Sequence, residues 1–189
     1  SMTALPKPPI RAASSTVTAA SGKGTFFFQG KAAEACPGLG HGVQRHGHGT
    51  QSHAYSQRPL YTLDRAALRS EIECARKSVE DACGTRVTSF RAPDFSILSQ
   101  NLWALEVLAE AGFTIDSSIF PLKTRRYGIE GWGDAPRTVA LANGAEIFEG
   151  LNYLRHGRAL LPDGDVDADH VAALLVDDGV ERHRSLAGL

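Results

Sequence analysis

The chain has 189 residues, of which 42% are hydrophobic and 22% charged, and its formal net charge is -1. This length and composition suit one globular domain with a buried core and exclude a disordered or fibrous chain. Because basic residues are not in excess and no long apolar run occurs, the sequence predicts neither a nucleic-acid partner nor a membrane span. No signal peptide is evident, so a cytoplasmic protein is expected.

The N-terminal part of the chain divides into an arm and the start of a domain. Residues 1–23 are rich in Pro, Ala, Ser and Thr, which predicts a flexible arm, and one domain is expected over 24–189. The stretch "GTFFFQG" over 24–30 is typical of a strand buried on both faces of a parallel sheet. Residues 31–47 begin with helical composition, but Pro37 and several glycines are expected to break or shorten that helix.

Apolar periodicity in the middle of the chain predicts alternating strands and helices. The expected elements are a strand over 49–55, a helix over 63–83, a strand over 86–92, a helix over 100–111 and a strand over 113–120. Thr62 and Ser99 are expected to cap the two helices, and Gly84 and Gly112 to end them. This order is typical of a parallel α/β domain, whose chemistry lies where the strands end.

The pattern weakens beyond residue 121. "KTRRYGIEGWGDAPRT" has the composition of a loop, and "AEIFEGLNYL" is compatible with a strand. "DADHVAALLVDDGVERHRSL" fits an amphipathic helix that begins near Asp167.

Four stretches occur in a fixed order between residues 24 and 121: "GTFFFQGKAAEACPGL", "GHGTQSHAYSQRPLYTLDRAALRSEI", "GTRVTSFRAPDFSI" and "AGFTIDSSIFP". They resemble the polysaccharide deacetylase family, the NodB-homology domain of carbohydrate esterases, and look closest to its subgroup associated with bacterial exopolysaccharide export. The resemblance implies an α/β fold, a distorted, TIM-like (β/α) barrel. In this chain the barrel is expected to be incomplete, with its first strand missing or replaced.

The activity of the family, as the resemblance implies it, is hydrolysis of N-acetyl groups on amino-sugar polymers. Such hydrolysis needs an activated water, a counter-charge for the developing oxyanion, a base and an acid. A zinc ion with three protein ligands and an open position supplies the first two. In the family, paired aspartates on the first strand give the base and one ligand, and a His-x-x-x-His motif gives two ligands. An Arg-x-Pro motif orients the base, and a late histidine protonates the leaving amine.

The resemblance carries over to this sequence residue by residue. His53 matches the first metal-binding histidine, and Gln57 stands in the place of the second. Since zinc prefers imidazole, thiolate or carboxylate ligands to a neutral amide, Gln57 is expected to weaken zinc binding strongly. Arg91, of the Arg-x-Pro motif, and Asp116 are the expected catalytic residues. The residues expected to line the substrate groove are Tyr55, Pro93, Asp94, Ser117 and Trp132.

The paired-aspartate motif has no counterpart upstream of Thr25. One hypothesis places it elsewhere: "ALLVDDG" over 173–179 resembles that motif displaced to the C-terminus. If this segment filled the vacant strand position, Asp177 and Asp178 would face His53. A helix is the commoner outcome for such a segment and is the expected one.

A second hypothesis is a replacement metal site built from the histidines that crowd between residues 41 and 53. Its members are His41, His46, His48 and His53. Glycine-rich histidine loops are more often exposed and without a metal, so the expectation is weak, adventitious metal binding.

The sequence therefore predicts a truncated or degenerate polysaccharide deacetylase-like hydrolase that acts on an amino-sugar polysaccharide, with its catalytic competence and its zinc left open. One alternative is a non-catalytic domain that binds glycan or a partner protein. A weaker one is a metal-independent hydrolase like the allantoinase relatives, which also lack the second histidine. A missing first strand would expose a sheet edge, which predicts pairing with a second copy of the chain, a strand recruited from residues 13–20, or poor solubility.

Overall fold

A computed structural model of the protein describes residues 24–133 and 135–150, together with the backbone of residues 173–176. The strands are β1 (Thr25–Phe28), β2 (Gly49–Ser52), β3 (Ser89–Phe90), β4 (Ile115–Asp116), β5 (Arg137–Ala140), β6 (Glu146–Glu149) and β7 (Ala173–Val176). The α-helices are α1 (Gly30–Ala35), α2 (Pro37–Arg45), α3 (Arg65–Cys83) and α4 (Trp103–Glu110). No helix in the described part of the chain is long and apolar enough to cross a membrane.

The strands form one seven-stranded sheet in the order β5-β6-β4-β3-β2-β1-β7. All neighbouring strands are parallel except β5 and β6, which are antiparallel. The expected parallel α/β architecture is confirmed. In such a sheet the residues that follow the strands gather at one edge, called here the carboxyl edge.

The helix expected near Asp167 is wrong for part of its span, because residues 173–176 form strand β7. This strand pairs in parallel with β1, with Phe28 and Val176 as Cα partners. The free edge of β1 is therefore covered by the chain's own C-terminal segment. Residues 13–20, the other predicted source of a strand, lie outside the described residues, as does the arm over 1–23.

The core lies between the sheet and the helices. Phe26 and Phe28 of β1 are 1% exposed, and α3 turns an apolar stripe toward them. The four stripe residues predicted from periodicity are all fully buried: Leu68, Ile72, Ala75 and Val79. Burial of each large apolar side chain contributes about 1.5–3 kcal/mol. The sheet is thereby held rigid beneath its carboxyl edge.

The predicted helix caps are wrong, although the helix ends are right. Asp64, not Thr62, caps α3, because its carboxylate accepts a hydrogen bond of 2.7 Å from the backbone N–H of Ala67. Before α4 the polar partner is Asn101, whose side chain accepts from the backbone N–H of Leu98. In both cases the Asp or Asn two residues further along, rather than the expected Thr or Ser, accepts from a free N–H group at the start of the helix.

The helical region after β1 breaks at Pro37, as predicted, but it resumes at once as α2 in spite of its three glycines. One of these, Gly40, lies against α3, and a Cβ atom at this position would be 2.4 Å from Sγ of Cys83. The nearest backbone atom, the carbonyl oxygen of Ala82, would be 3.3 Å from that Cβ, so a side chain here would crowd the contact between the two helices. Helix packing therefore explains a glycine that the sequence pattern treats as a helix breaker.

Candidate active site

His53 directly follows β2 at the carboxyl edge and is 3% exposed. Its backbone N–H donates to the carbonyl oxygen of Phe28, and its Nδ1 lies 2.7 Å from the carbonyl oxygen of Arg91. Because a carbonyl only accepts, Nδ1 carries the proton and Nε2 keeps its lone pair. Burial lowers the pKa of His53 to about 4, so the ring is neutral near pH 7. A neutral imidazole oriented by a backbone carbonyl is the arrangement that metal-ligating histidines use.

Arg91 follows β3 and is also buried, at 8% exposure. Its Nε donates to the carbonyl oxygen of Ser117 at 3.1 Å, and its Nη2 donates to Oγ of the same residue at 2.8 Å. The guanidinium lies 4.5 Å from the ring centroid of Phe27. Burial lowers the pKa of Arg91 to about 10, and the charges of Asp116 and Glu149 oppose that change. Arg91 thus stays a cation, held by strands β1 and β4.

Asp116 ends β4, is fully buried, and accepts two hydrogen bonds from Ser118. The backbone N–H of Ser118 donates to Oδ2 at 3.0 Å, and its hydroxyl donates to Oδ1 at 2.5 Å. The same hydroxyl accepts from the backbone N–H of Ala92 at 2.8 Å. Asp116 and Ser118 therefore link the end of β4 to the segment that carries Arg91.

Glu149 is a buried carboxyl that the sequence pattern did not single out. It ends β6 as the Cα partner of Asp116 and is 4% exposed. Its Oε1 accepts a hydrogen bond of 3.1 Å from the backbone N–H of Ile119. A signal was available, since "EIFEG" closes an apolar strand with a carboxylate followed by glycine.

Three non-glycine residues near this edge have left-handed backbone conformations. Ala54, immediately after His53, has φ 59°, and Asp94 and Phe95, after Arg91, have φ 52° and 49°. Such conformations cost about 1–3 kcal/mol each and persist where surrounding contacts enforce them, often at functional sites. Asp94 is exposed, and its charge raises the pKa of His53 in opposition to the larger effect of burial.

The remaining predicted groove residues differ in their surroundings. The Tyr55 hydroxyl donates to Glu34 Oε2 at 3.1 Å, which ties Tyr55 to α1. Trp132 has one face of its ring covered by the guanidinium of Arg137, 4.5 Å from the ring centroid. Pro93 is buried, and Ser117 is engaged with Arg91. The structure thus gathers His53, Arg91, Asp116 and Ser117, with Tyr55 and Trp132 engaged elsewhere.

The described residues do not by themselves make a zinc site. No group of three or more His, Cys, Asp or Glu side chains among them is placed to hold a metal ion. Gln57 is exposed, whereas His53 is buried. The crowded histidines do not converge either, because His48 accepts a hydrogen bond from the backbone N–H of Gly24 at the opposite end of the sheet. His53 is the one metal-competent imidazole that the described part of the chain brings to the carboxyl edge.

Comparison with known proteins decides the family. The family model described as polysaccharide deacetylase matches residues 9–115, more than half of the chain. The chain belongs to the polysaccharide deacetylase family. The exopolysaccharide-associated subgroup stays a prediction, and so does the role of each site residue.

Solved structures agree with the fold of a polysaccharide deacetylase. A candidate polysaccharide deacetylase from Mycobacterium smegmatis is 24% identical, with a TM-score of 0.60, and the match covers 71% of this chain and 42% of that one. A family 4 carbohydrate esterase from Streptomyces lividans, in complex with acetate, is 23% identical with a TM-score of 0.49, covering 58% and 57% of the two chains. A family 4 pseudoenzyme from Bacillus anthracis is 15% identical with a TM-score of 0.48, covering 56% and 39%. The chain thus spans only part of each of these structures, and it shares the mixed α/β fold with its parallel sheet with the Mycobacterium smegmatis protein.

Asp177 and Asp178 lie outside the described residues, but the strand that precedes them does not. β7 lies beside β1, on the side away from β2. The segment that precedes the aspartate pair thus forms the edge strand next to β1.

Proposed function

We propose that this polysaccharide deacetylase-like domain removes acetyl groups from N-acetylated amino-sugar polymers, using an aspartate pair supplied by its C-terminal segment. One observation carries the proposal: β7 pairs in parallel with β1, so that Val176 is the partner of Phe28. The sequence continues from Val176 directly into Asp177, Asp178 and Gly179. The C-terminal segment would thus fill the strand position beside β1 and bring the aspartate pair to the carboxyl edge.

The register supports a shared site with His53. Phe28 pairs with Val176 on one side and with Ser52 on the other. The first residues after β7, β1 and β2 are therefore Asp177, Gln29 and His53. Neighbouring strands are about 4.8 Å apart, so the backbones of the two outer positions would be about 10 Å apart. Side chains of an aspartate and a histidine can span that distance and meet at one ion or water molecule.

The proposed roles follow from the chemistry of each group. Asp177, as base, would take a proton from the attacking water, while Asp178 and Nε2 of His53 would be metal ligands. A zinc ion bound there would lower the pKa of the water and stabilise the developing oxyanion. Because His53 is neutral and its Nδ1 is occupied, it would not compete for the proton. Arg91, a buried cation at the same edge, would orient the base by charge attraction.

The polymer would bind along the carboxyl edge. Asp94, exposed and close to His53, is the best placed of the predicted groove residues to accept hydrogen bonds from sugar hydroxyls. Tyr55 and Trp132, which are partly buried, would contribute only the exposed faces of their rings. Pro93 and Ser117 would then act by holding the shape of this edge rather than by direct contact.

A second candidate function is a non-catalytic glycan-binding domain. It is favoured by a specific observation, the exposed amide of Gln57 in the place of the second metal-binding histidine. Without a strong third ligand, zinc affinity falls, and an inherited groove could bind polymer without cleaving it.

The experiment is acetate release from N-acetylated chito-oligosaccharides with added zinc, for wild type, Asp177→Asn and Asp165→Asn. Loss of a general base costs about 10²–10⁴-fold in rate, so Asp177→Asn is expected to lose activity while Asp165→Asn, upstream of β7, keeps it. Equal rates in the three proteins would overturn the assignment of the base. Oligosaccharide binding without acetate release from wild type would instead support the second function.

A further inference from the structure

The carboxyl edge holds a second acidic pair, distinct from the aspartates after β7. Asp116 and Glu149 are Cα partners at the ends of β4 and β6, and both side chains are buried. As paired residues on neighbouring strands they project to the same face of the sheet, and each carboxyl group changes the pKa of the other. Two ionised carboxylates in such contact repel each other strongly, and burial enlarges the repulsion.

The hydrogen bonds show which member of the pair is ionised. Both oxygens of Asp116 accept hydrogen bonds from Ser118. Glu149 receives one, from the backbone N–H of Ile119 to Oε1, while its buried Oε2 meets no donor among the described residues. A buried polar atom without a partner is costly. A proton on Oε2 removes that cost, because Glu149 then donates to Asp116.

The charge balance gives the same result. Arg91 is the buried cation near the pair, and its charge is matched by one carboxylate, Asp116. A second buried negative charge would have exposed Arg137, in β5, as its remaining cationic neighbour among the described residues. Solvent screens an exposed arginine, so it offsets little of the burial cost.

We propose that Glu149 is a positioning residue that holds a proton at neutral pH and uses it to donate a hydrogen bond to Asp116. The pair then fixes Ser118, whose hydroxyl binds the backbone N–H of Ala92, next to Arg91. Through this chain of hydrogen bonds, a protonated carboxyl on β6 holds the arginine at the end of β3. Glu149 therefore acts on Arg91 through Asp116 and Ser118, and Asp116 acts on it through Ser118 as well as by its charge.

The groups that face Glu149 agree with this assignment. Burial raises the pKa of Glu149 well above its ordinary value of 4.5, and the neighbouring Asp116 charge raises it further. Arg137 lowers it, but by a smaller effect. Burial also raises the pKa of Asp116, and the hydrogen bonds from Glu149 and Ser118 oppose that rise.

The test follows the side-chain carboxyl carbons of glutamates by ¹³C NMR during a pH titration. Glu149→Gln assigns the resonance of interest, and Glu146→Gln assigns a matched control at the exposed end of the same strand. The Glu149 resonance is expected to keep the shift of a protonated carboxyl at neutral pH, with the exposed Glu146 as the reference for an ordinary glutamate. Titration of both residues together would overturn the proposal.

A second measurement separates the held proton from a purely structural role. The folded pKa of Glu149 exceeds its unfolded value, so wild type loses stability as the pH rises from 4.5 toward the folded pKa. Glu149→Gln keeps an N–H donor to Asp116 but cannot ionise, so this loss is expected to disappear in urea unfolding. Glu149→Leu, without a donor, is expected to unfold at lower urea than Glu149→Gln. Equal pH dependence in wild type and Glu149→Gln would contradict the proposal.

Discussion

The imidazole of His53 is oriented by the backbone carbonyl of Arg91, which lies 2.7 Å from Nδ1. The residue after β2 and the residue after β3 therefore form one unit, because the second fixes the tautomer of the first. This contact leaves Nε2 as the nitrogen with a lone pair. The ring stays neutral because burial lowers its pKa to about 4, although the contact with the carbonyl raises the pKa.

Protonation of His53 gives the first prediction. Burial lowers its pKa from 6.5 to about 4, so the unfolded chain takes up a proton first as the pH falls. The stabilising contribution is complete above pH 6.5 and is lost toward pH 4. In metal-free protein, wild type is expected to lose about 3 kcal/mol of unfolding free energy relative to His53→Asn across that window. Urea unfolding at several pH values measures this loss of unfolding free energy, and His41→Asn, at an exposed position, is the control. If the unfolding free energy of His53→Asn depended on pH as steeply as that of wild type, the buried, neutral state of His53 would be contradicted.

Arg91→Lys gives the second prediction. Lysine cannot reproduce the two hydrogen bonds to Ser117 and the planar contact with Phe27 together. The unfolding free energy is therefore expected to fall by about 2 kcal/mol. Arg86→Lys, at an exposed position just before β3, is the matched control and is expected to be nearly neutral. Equal urea midpoints for the two variants would show that the geometry around Arg91 contributes nothing.

Local sequence features predicted most of the elements near this edge. Periodicity predicted strand β1 and the apolar stripe of α3. Backbone preference predicted the glycines that end α3 and α4. The positions of His53 and Arg91 at strand ends followed from the alternating order of strands and helices. Glu149 was missed because its burial depends on pairing between β4 and β6, which no local pattern specifies.

The close contact of α2 with α3 gives the third prediction. Gly40→Ala would put Cβ 2.4 Å from Sγ of Cys83, and such overpacking costs about 1–3 kcal/mol. Gly42→Ala, in the same helix, meets no described atom within 4 Å and is expected to stabilise by up to about 1 kcal/mol through helix propensity. Urea unfolding of both variants measures whether the unfolding free energy falls in Gly40→Ala and rises in Gly42→Ala. Stabilisation by Gly40→Ala would refute the close contact.

The C-terminal segment shows where sequence reasoning failed. "HVAALLVDDG" has the composition of an amphipathic helix, and helix was the expected outcome, but residues 173–176 form β7. The vacant place beside β1 offers unpaired backbone groups, and satisfying them outweighs a weak helix preference. Tertiary pairing between ends of the chain this far apart in sequence leaves no local trace.

Zinc content is the measurement to make first, because the proposed function needs Asp178 and His53 to bind one ion across the three neighbouring strands β7, β1 and β2. The measurement is elemental analysis of protein purified without a nickel column and equilibrated with zinc, for wild type, His53→Ala, Asp178→Asn and the control Asp165→Asn. About one equivalent in wild type and in the control, lost in the other two variants, is the predicted result. Zinc retained by Asp178→Asn, or absent from wild type, would contradict the site proposed at the ends of β7 and β2.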